Sequence, residues 1–435
     1  MTLRSVYSID SGMPFARDVA KGIIDLAVTP ERLSKAIILV PSRRAAIALK
    51  AAFFDISDGV AMLLPQIKPI GDFSDDNSVN DADSCENIIL EIEADLPPPI
   101  SALRRQIILT KLLRHFPLGG RYPSHPQAML LANSLAQLLD QFYNVDATVD
   151  QLAALFPEKY SLHWQDITAL LKILIKRWPD LLRAEGKMDA VDRRNQLLLR
   201  VAKAWEKKPP KQLVVVAGST GSISATRALI EIVSKLPDGH VVLPGLDRSA
   251  KTQWKVINND PGHPQYQLAQ LLNYLEMEPD EVKDWVAFSK DFSRAVKARR
   301  KLMREVFRPA ALSAFWQRLA EDQQIFDRAA LDGLKIITAR DKREEASLLA
   351  LLLREVLNDP KKTAALVTPD RQLAQLVSAE LGRWKIKIDD SAGQRLGLTP
   401  VGRFLQLLGE ALASNFAPIP VLSLLKHPFS RGGTS

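Results

Sequence analysis

The chain has 435 residues, a formal net charge of +8 and 46% hydrophobic residues, an ordinary globular composition with room for about two to four domains. Its single cysteine, Cys85, excludes an internal disulfide framework and a cysteine-ligated zinc or iron–sulfur site. No basic-then-apolar leader is legible and no run reaches the ~20 apolar residues of a membrane span, so a cytoplasmic protein with no membrane partner is expected, and the modest basic excess permits a polyanionic partner without requiring one.

Ser5–Ile9 reads as a short buried strand, followed by the turn Asp10-Ser11-Gly12-Met13-Pro14 and a helix from about Phe15 to Ala27. A phosphate-binding loop in that turn needs glycines for close backbone approach, a lysine for the phosphates and a Ser/Thr for magnesium. The turn offers one glycine, no lysine and a proline, and Lys21 lies well inside the helix. Ala36–Val40 is the next apolar strand. After Pro41 and Ser42, Arg43 and Arg44 open a helix with Ala45, Ala46, Leu49, Ala52 and Phe53 on its inner face. Two arginines at a helix start oppose the helix dipole. They are either solvated cations or, with Ser42, contacts to backbone phosphates at the edge of a sheet. Leu63–Ile67 continues the α/β pattern. Asp72–Asp95 is acidic and polar and reads as a solvated loop; Asp72, Asp75 and Asp76 have no supporting metal-ligand spacing.

From Ser101 to about Lys207 the apolar period is helical. One stripe holds Leu103, Ile107, Ile108 and Leu112, a second runs from Leu130 to Phe142, a third from Leu170 to Ile175, and a fourth spans Asn195–Trp205. The aromatics here, Tyr143, Tyr160, Trp164 and Trp178, suit a helical core more than base stacking. Leu213–Asp247 then reads strand, tight loop, amphipathic helix, strand: a βαβ unit, whose parallel strands place ligands at their carboxyl ends. Gly218 and Gly221 bracket Ser219 and Thr220, and Ser222 or Ser224 is expected to cap the helix. The strand ends in Gly-Ser-Thr, where a nucleotide-hydrolysing fold would carry metal-holding acids.

His263, beside Pro264 and Gln265, has no partner in the sequence and suits a structural role better than catalysis. Glu276–Trp285 and Ala295–Phe307 look helical; the run Lys297, Arg299, Arg300, Lys301, Arg304 and Arg308 is a charged face that could also hold phosphates. Leu334–Thr338, Ala364–Val367 and Lys385–Ile388 read as strands of a second α/β region. LVPSRRAAIAL and LVTPDRQLAQL share the layout strand, proline, arginine, helix. Asp389-Asp390 suits a turn cap better than a metal site. The last residues follow an apolar helix with no closing sheet, as an interrupted chain would.

The blocks VPSRRAAIALKAAF, LLPQIKPIGD, VVVAGSTGSISATRALIEIVSKLPDGHVVLPGLD, GHPQYQLAQLL and ALVTPDRQLAQLVSAEL with DDSAGQRLGLTPVGRFL together resemble the AddB family in its alphaproteobacterial form, the B subunits that partner AddA in double-strand-break repair. The likeness runs through essentially the whole chain. It implies an α/β fold of superfamily 1 helicase type: a parallel-sheet lobe with an all-helical insertion, plus the start of a second α/β lobe. The implied organisation is residues 1–75 as the first part of the helicase-like lobe, 76–100 as an acidic linker, 101–208 as the helical insertion, 209–330 as the second part of the first lobe, and 331–435 as the beginning of the second. It also implies DNA and an AddA-like helicase–nuclease subunit as partners, in an assembly that resects DNA ends and whose B subunit guides one strand and helps read a regulatory sequence in it. Carried over by position, the DNA contacts are Ser42, Arg43, Arg44, Ser219, Thr220 and Ser222. The chain departs from the family in lacking a Gly-Lys-Ser/Thr turn, terminal acids on the central strand and the C-terminal nuclease region. No cofactor is therefore expected in this chain: ATP falls to the partner subunit, and magnesium and an iron–sulfur cluster to that C-terminal region. Two alternatives remain at this level, an active nucleotide-dependent subunit using an atypical phosphate loop around Ser11-Gly12, and a structural piece that only docks on AddA.

Overall fold

Short apolar runs without alternation become strands covered on both faces. In the computed structural model, which describes residues 4–71, 85–117, 121–147, 177–250, 253–285, 293–317 and 327–430, four such runs and two more polar edge strands form one parallel sheet: β1 (Val6–Ile9), β2 (Ile37–Val40), β3 (Gln66–Pro69), β4 (Val214–Ala217), β5 (Gly239–Pro244) and β6 (Lys283–Asp284). Their order is β3-β2-β4-β5-β1-β6. The register pairs Ile37 with Val214, Val216 with Val241, and Val6 with Val241. Pro69 lies on edge strand β3, where a missing ladder donor is tolerated.

Successive strand residues face opposite sides, and the core divides accordingly. Val214 and Val216 pack with one set of helices, Leu213, Val215 and Ala217 with the other. Helices α1 (Phe15–Ala27) and α3 (Arg43–Ser57), with the short α2 (Pro30–Ser34) between them, cover the second face. Right-handed crossovers place them there, because the chain runs toward β3 after both β1 and β2. After β3 the chain reverses direction. The later helices α7 (Ala190–Lys207), α8 (Ser224–Lys235) and α10 (Tyr266–Tyr274) therefore cover the first face. Ser222 and Ser224 do not cap α8; its N-cap is Ile223, with no side-chain capping bond.

Between β3 and α7 stand α4 (Cys85–Ala94), α5 (Ala102–Arg114) and α6 (His125–Val145). Part of the expected acidic loop is thus helical, with Ile89 buried in the sheet's core; Asp72, Asp75 and Asp76, and the stripe Leu170–Ile175, lie outside the described residues. A separate core forms from Leu109, Leu113, Ala128, Ala132, Leu135, Leu139, Trp178 and Leu182. The fourth helical stripe does not join it: Leu197, Leu198, Val201 and Trp205 pack against the sheet. Asp189, fully buried at the head of α7, is held by Arg105 at 3.1 Å and by the Trp178 indole at 3.0 Å. Burial pushes its carboxyl above the ordinary range, with Arg105 pulling the other way.

The expected helix at Glu276–Trp285 is instead a single 3-10 turn, Pro279–Glu281, followed by β6 against β1. The i, i+3 spacing of Val282 and Trp285 imitates a helix, but both are anchors of a two-residue edge strand. After α9 (Trp254–Ile257) and α10 comes a further long helix, α11 (Arg294–Val306).

The chain divides into two compact units, Met1–Asp332 and Gly333–Ser435. In the second, α12 (Lys342–Val356) and α13 (Arg371–Gly382) pack around Ala346, Ala350, Leu373, Val377 and Leu381, and α14 (Pro400–Ala413) and α15 (Pro418–Leu425) follow. The strands expected at Leu334–Thr338, Ala364–Val367 and Lys385–Ile388 run without a ladder among the described residues. β-branched residues favour strands only where a paired, half-buried surface receives them, and here Ile336 and Val367 are 90% and 92% exposed. The repeated layout does hold at the helix starts. Ser42 accepts from Ala45 N ahead of Arg43, and Asp370 accepts from Gln372 N and Leu373 N ahead of Arg371.

Candidate functional site

All six strands point their carboxyl ends the same way. Adjacent strands followed by helices on opposite faces open a crevice there, and such places include those between β2 and β4 and between β5 and β1.

The β2/β4 crevice joins the two groups of residues singled out in the sequence. β2 runs into Pro41-Ser42-Arg43-Arg44 and its neighbour β4 into Gly218-Ser219-Thr220-Gly221-Ser222. The loops touch: a Cβ on Gly218 would stand 3.7 Å from the Pro41 ring and 3.3 Å from Phe15. Gly218 and Gly221 have φ of +78° and +64°, a backbone that glycine adopts without the Cβ penalty. Ser42, Arg43, Arg44 and Ser222 are exposed, and Thr220 is half-buried. Two of the hydroxyls have structural tasks. Ser42 caps α3, and Ser219, 7% exposed, accepts from the Gly221 amide at 3.3 Å within the turn. The outward groups at this crevice are therefore Arg43, Arg44 and Ser222, beside the amino terminus of α3, whose first turn holds no acid.

The β5/β1 crevice is built differently. Asp10 follows β1, Asp247 follows β5 and Asp284 ends β6, and three arginines meet them. Arg300 of α11 reaches Asp10 at 2.8 Å. Arg248 bridges Asp284 and Asp10. Arg304 makes a two-toothed pair with Asp247, 2.7 and 3.1 Å, and also donates to Ser249. Burial alone would raise the Asp247 carboxyl, but the bonds from Arg304 and Ser249 outweigh it and hold it below the usual range. Gln265 fixes the strand end from the other side, donating to Gly245 O at 3.0 Å and accepting from Asp247 N at 3.2 Å. His263 accepts from Gln265 N, and burial lowers its pKa. Arg299 is spent on the carbonyls of Ala330 and Asp332.

The run of cations on α11 was legible in the sequence, but its pairing with Asp10 and Asp247 was not, since those carboxylates lie far away along the chain. Among the described residues, no group of three or more His, Cys, Asp or Glu side chains could hold a metal ion. No described helix is long and apolar enough to cross a membrane. No family model matches the chain, and no curated protein matches it.

The turn Asp10–Pro14 does not fit a nucleotide triphosphate with magnesium. Its one carboxylate is held by Arg248 and Arg300. Val296 of α11 stands 2.9 Å from where a Gly12 Cβ would be, so α11 packs against this turn. Gly245 brings β5 equally close, with Ser11 Oγ at 2.5 Å from its own Cβ position.

Proposed function

We propose that this chain is a strand-binding subunit of a double-strand-break repair helicase–nuclease of AddAB type, with a helicase-like sheet that guides DNA and does not hydrolyse nucleotide. One observation carries the reading: Ser42-Arg43-Arg44 and Ser219-Thr220-Ser222, about 175 positions apart in the chain, meet at one crevice on the carboxyl edge. Two exposed arginines at a helix start suit a phosphate backbone. The strand order supports the same reading. β5 separates β1, where a motor would carry its phosphate loop, from β4, where it would carry its metal-holding acids. At the first position the carboxylate is tied to arginines, and at the second stands Gly218-Ser219-Thr220. In this reading ATP hydrolysis belongs to an AddA-like partner, and the cytoplasm is the place of work.

The test is the salt dependence of single-stranded DNA binding by the whole chain. Each phosphate contact contributes about 0.7 to the slope of log K against log salt on a single strand. Replacing Arg43 and Arg44 together by Ala is expected to make the slope shallower by up to about 1.4, equally for all sequences. Ser219→Ala is expected to leave it unchanged, because that hydroxyl serves its own turn. An affinity indifferent to salt, or an unchanged slope in the double variant, would refute the assignment. Co-purification with an AddA-type subunit tests the assembly separately.

A further inference from the structure

The β5/β1 crevice encloses a cavity of about 480 Å³ between the strand ends and α11, within the range of small-molecule sites. Leu246 and Ala250 after β5, Met303 of α11 and Phe307 at its end give it an apolar wall. The charged residues that line it fall into two groups. Arg300 is paired with Asp10, and Arg304 with Asp247. Arg299 and Asp332 are matched by no opposite charge in this way. Arg299, half-buried, donates through Nε and Nη2 to the main-chain carbonyls of Ala330 and Asp332. Those carbonyls hold the guanidinium in place without neutralising it, and its Nη1 group takes no part in the two bonds. Asp332 is exposed just beyond the 3-10 turn Arg328–Leu331, and its carboxylate has no hydrogen bond or ion pair among the described residues.

The bond from Arg299 to the Asp332 carbonyl sets these two residues side by side, so a cation and an anion adjoin in the wall of an apolar cavity. A molecule that complements them carries a negative and a positive group on neighbouring atoms and an apolar body beyond. Polyphosphates do not fit that description, because Asp332 repels them and the other arginines already hold carboxylates. We propose that this cavity binds a free α-amino acid with a large apolar side chain, its carboxylate on Arg299, its ammonium on Asp332 and its side chain among Leu246, Met303 and Phe307. A carboxylate on a guanidinium makes the stronger, charge-assisted kind of hydrogen bond. The ammonium meets an exposed carboxylate, where an ion pair contributes less. The site is separate from the β2/β4 crevice and goes beyond the DNA-guiding reading without depending on it.

The experiment titrates the whole chain with L-phenylalanine, with phenylpropanoate, which lacks the ammonium, and with phenethylamine, which lacks the carboxylate, followed by saturation-transfer NMR. L-Phenylalanine is expected to bind about tenfold more tightly than phenethylamine and about threefold more tightly than phenylpropanoate. Arg299→Gln is expected to weaken L-phenylalanine and phenylpropanoate and to spare phenethylamine. Asp332→Asn is expected to weaken L-phenylalanine and phenethylamine and to spare phenylpropanoate. Met303→Trp, at a partly exposed position on α11, is expected to fill the apolar end and weaken all three. No binding of L-phenylalanine at millimolar concentration, equal affinity for the three ligands in the unaltered chain, or an Asp332→Asn chain that loses phenylpropanoate as much as L-phenylalanine would overturn the proposal. The comparison of the three ligands needs no substitution, so it stands even if Arg299→Gln does not fold.

Discussion

His240 is half-buried on β5 between Tyr7 and Trp285, with ring centroids 5.7 and 6.1 Å away. Burial lowers its pKa below 6.5, and the nearby Asp238 only partly opposes this. A depressed histidine stabilises the fold above its unfolded value, because the unfolded chain then gains nothing by protonation; the contribution is lost as pH falls through 6.5 toward the folded value. Denaturation midpoints measured between pH 7.5 and pH 5 are expected to fall less steeply for His240→Phe than for the parent chain. Trp285 sets a second expectation. Its indole donates to the Asp18 carbonyl at 3.0 Å and lies so close to α1 that a Cβ on Gly22 would stand 2.1 Å from the indole nitrogen. Gly22→Ala, which would favour an isolated helix, is expected to destabilise this one by about 1–3 kcal/mol through overpacking, read as a lower denaturant midpoint.

At the scale of elements, the sequence was most legible where one strand or helix is specified by its own residues. The helix expected from about Phe15 to Ala27 spans those residues, and the strands expected at Ser5–Ile9 and Ala36–Val40 each begin one position later as β1 and β2. The sequence was least legible where an element exists only through a distant partner. β6 is two residues long and is a strand because β1 lies beside it. Leu334–Thr338 and Ala364–Val367 have strand-like composition but no ladder among the described residues. The candidate site shows the same division. Ser42, Arg43 and Arg44 were visible as a local oddity at a helix start, whereas the arginines of α11 looked like a solvated face until Asp10 and Asp247 appeared opposite them. Those pairs tie α11 to the sheet. Arg304→Ala leaves the Asp247 carboxylate half-buried without its main partner and is expected to cost about 1–3 kcal/mol, with faster amide exchange across Arg294–Val306. Asp247 lies below its ordinary value, so the stability it adds is present above about pH 4 and is lost as pH falls through the folded value; the variant is expected to show less of that acid loss.

At the scale of the molecule, the two units differ in how much they bury. The first has a sheet covered on both faces, with Val214, Val215, Leu243 and Trp205 wholly inside; the second centres on two alanines and Leu373, Val377 and Leu381. Hydrogen exchange followed by mass spectrometry is expected to show α12 and α13 opening well before β4 and β5, since local stability follows buried apolar contact. Equal protection in the two units would contradict this. The sheet order also bears on how the chain is made. β1 lies between β5 and β6, and Ser8 meets Leu243 across 235 positions of sequence. At about 5–20 residues per second, β1 therefore waits roughly 10–50 s for its nearest neighbour to be synthesised. During that interval Val6 and Ile9, both destined for the interior, are exposed on a nascent chain, and a chaperone that covers apolar segments has its target in β1.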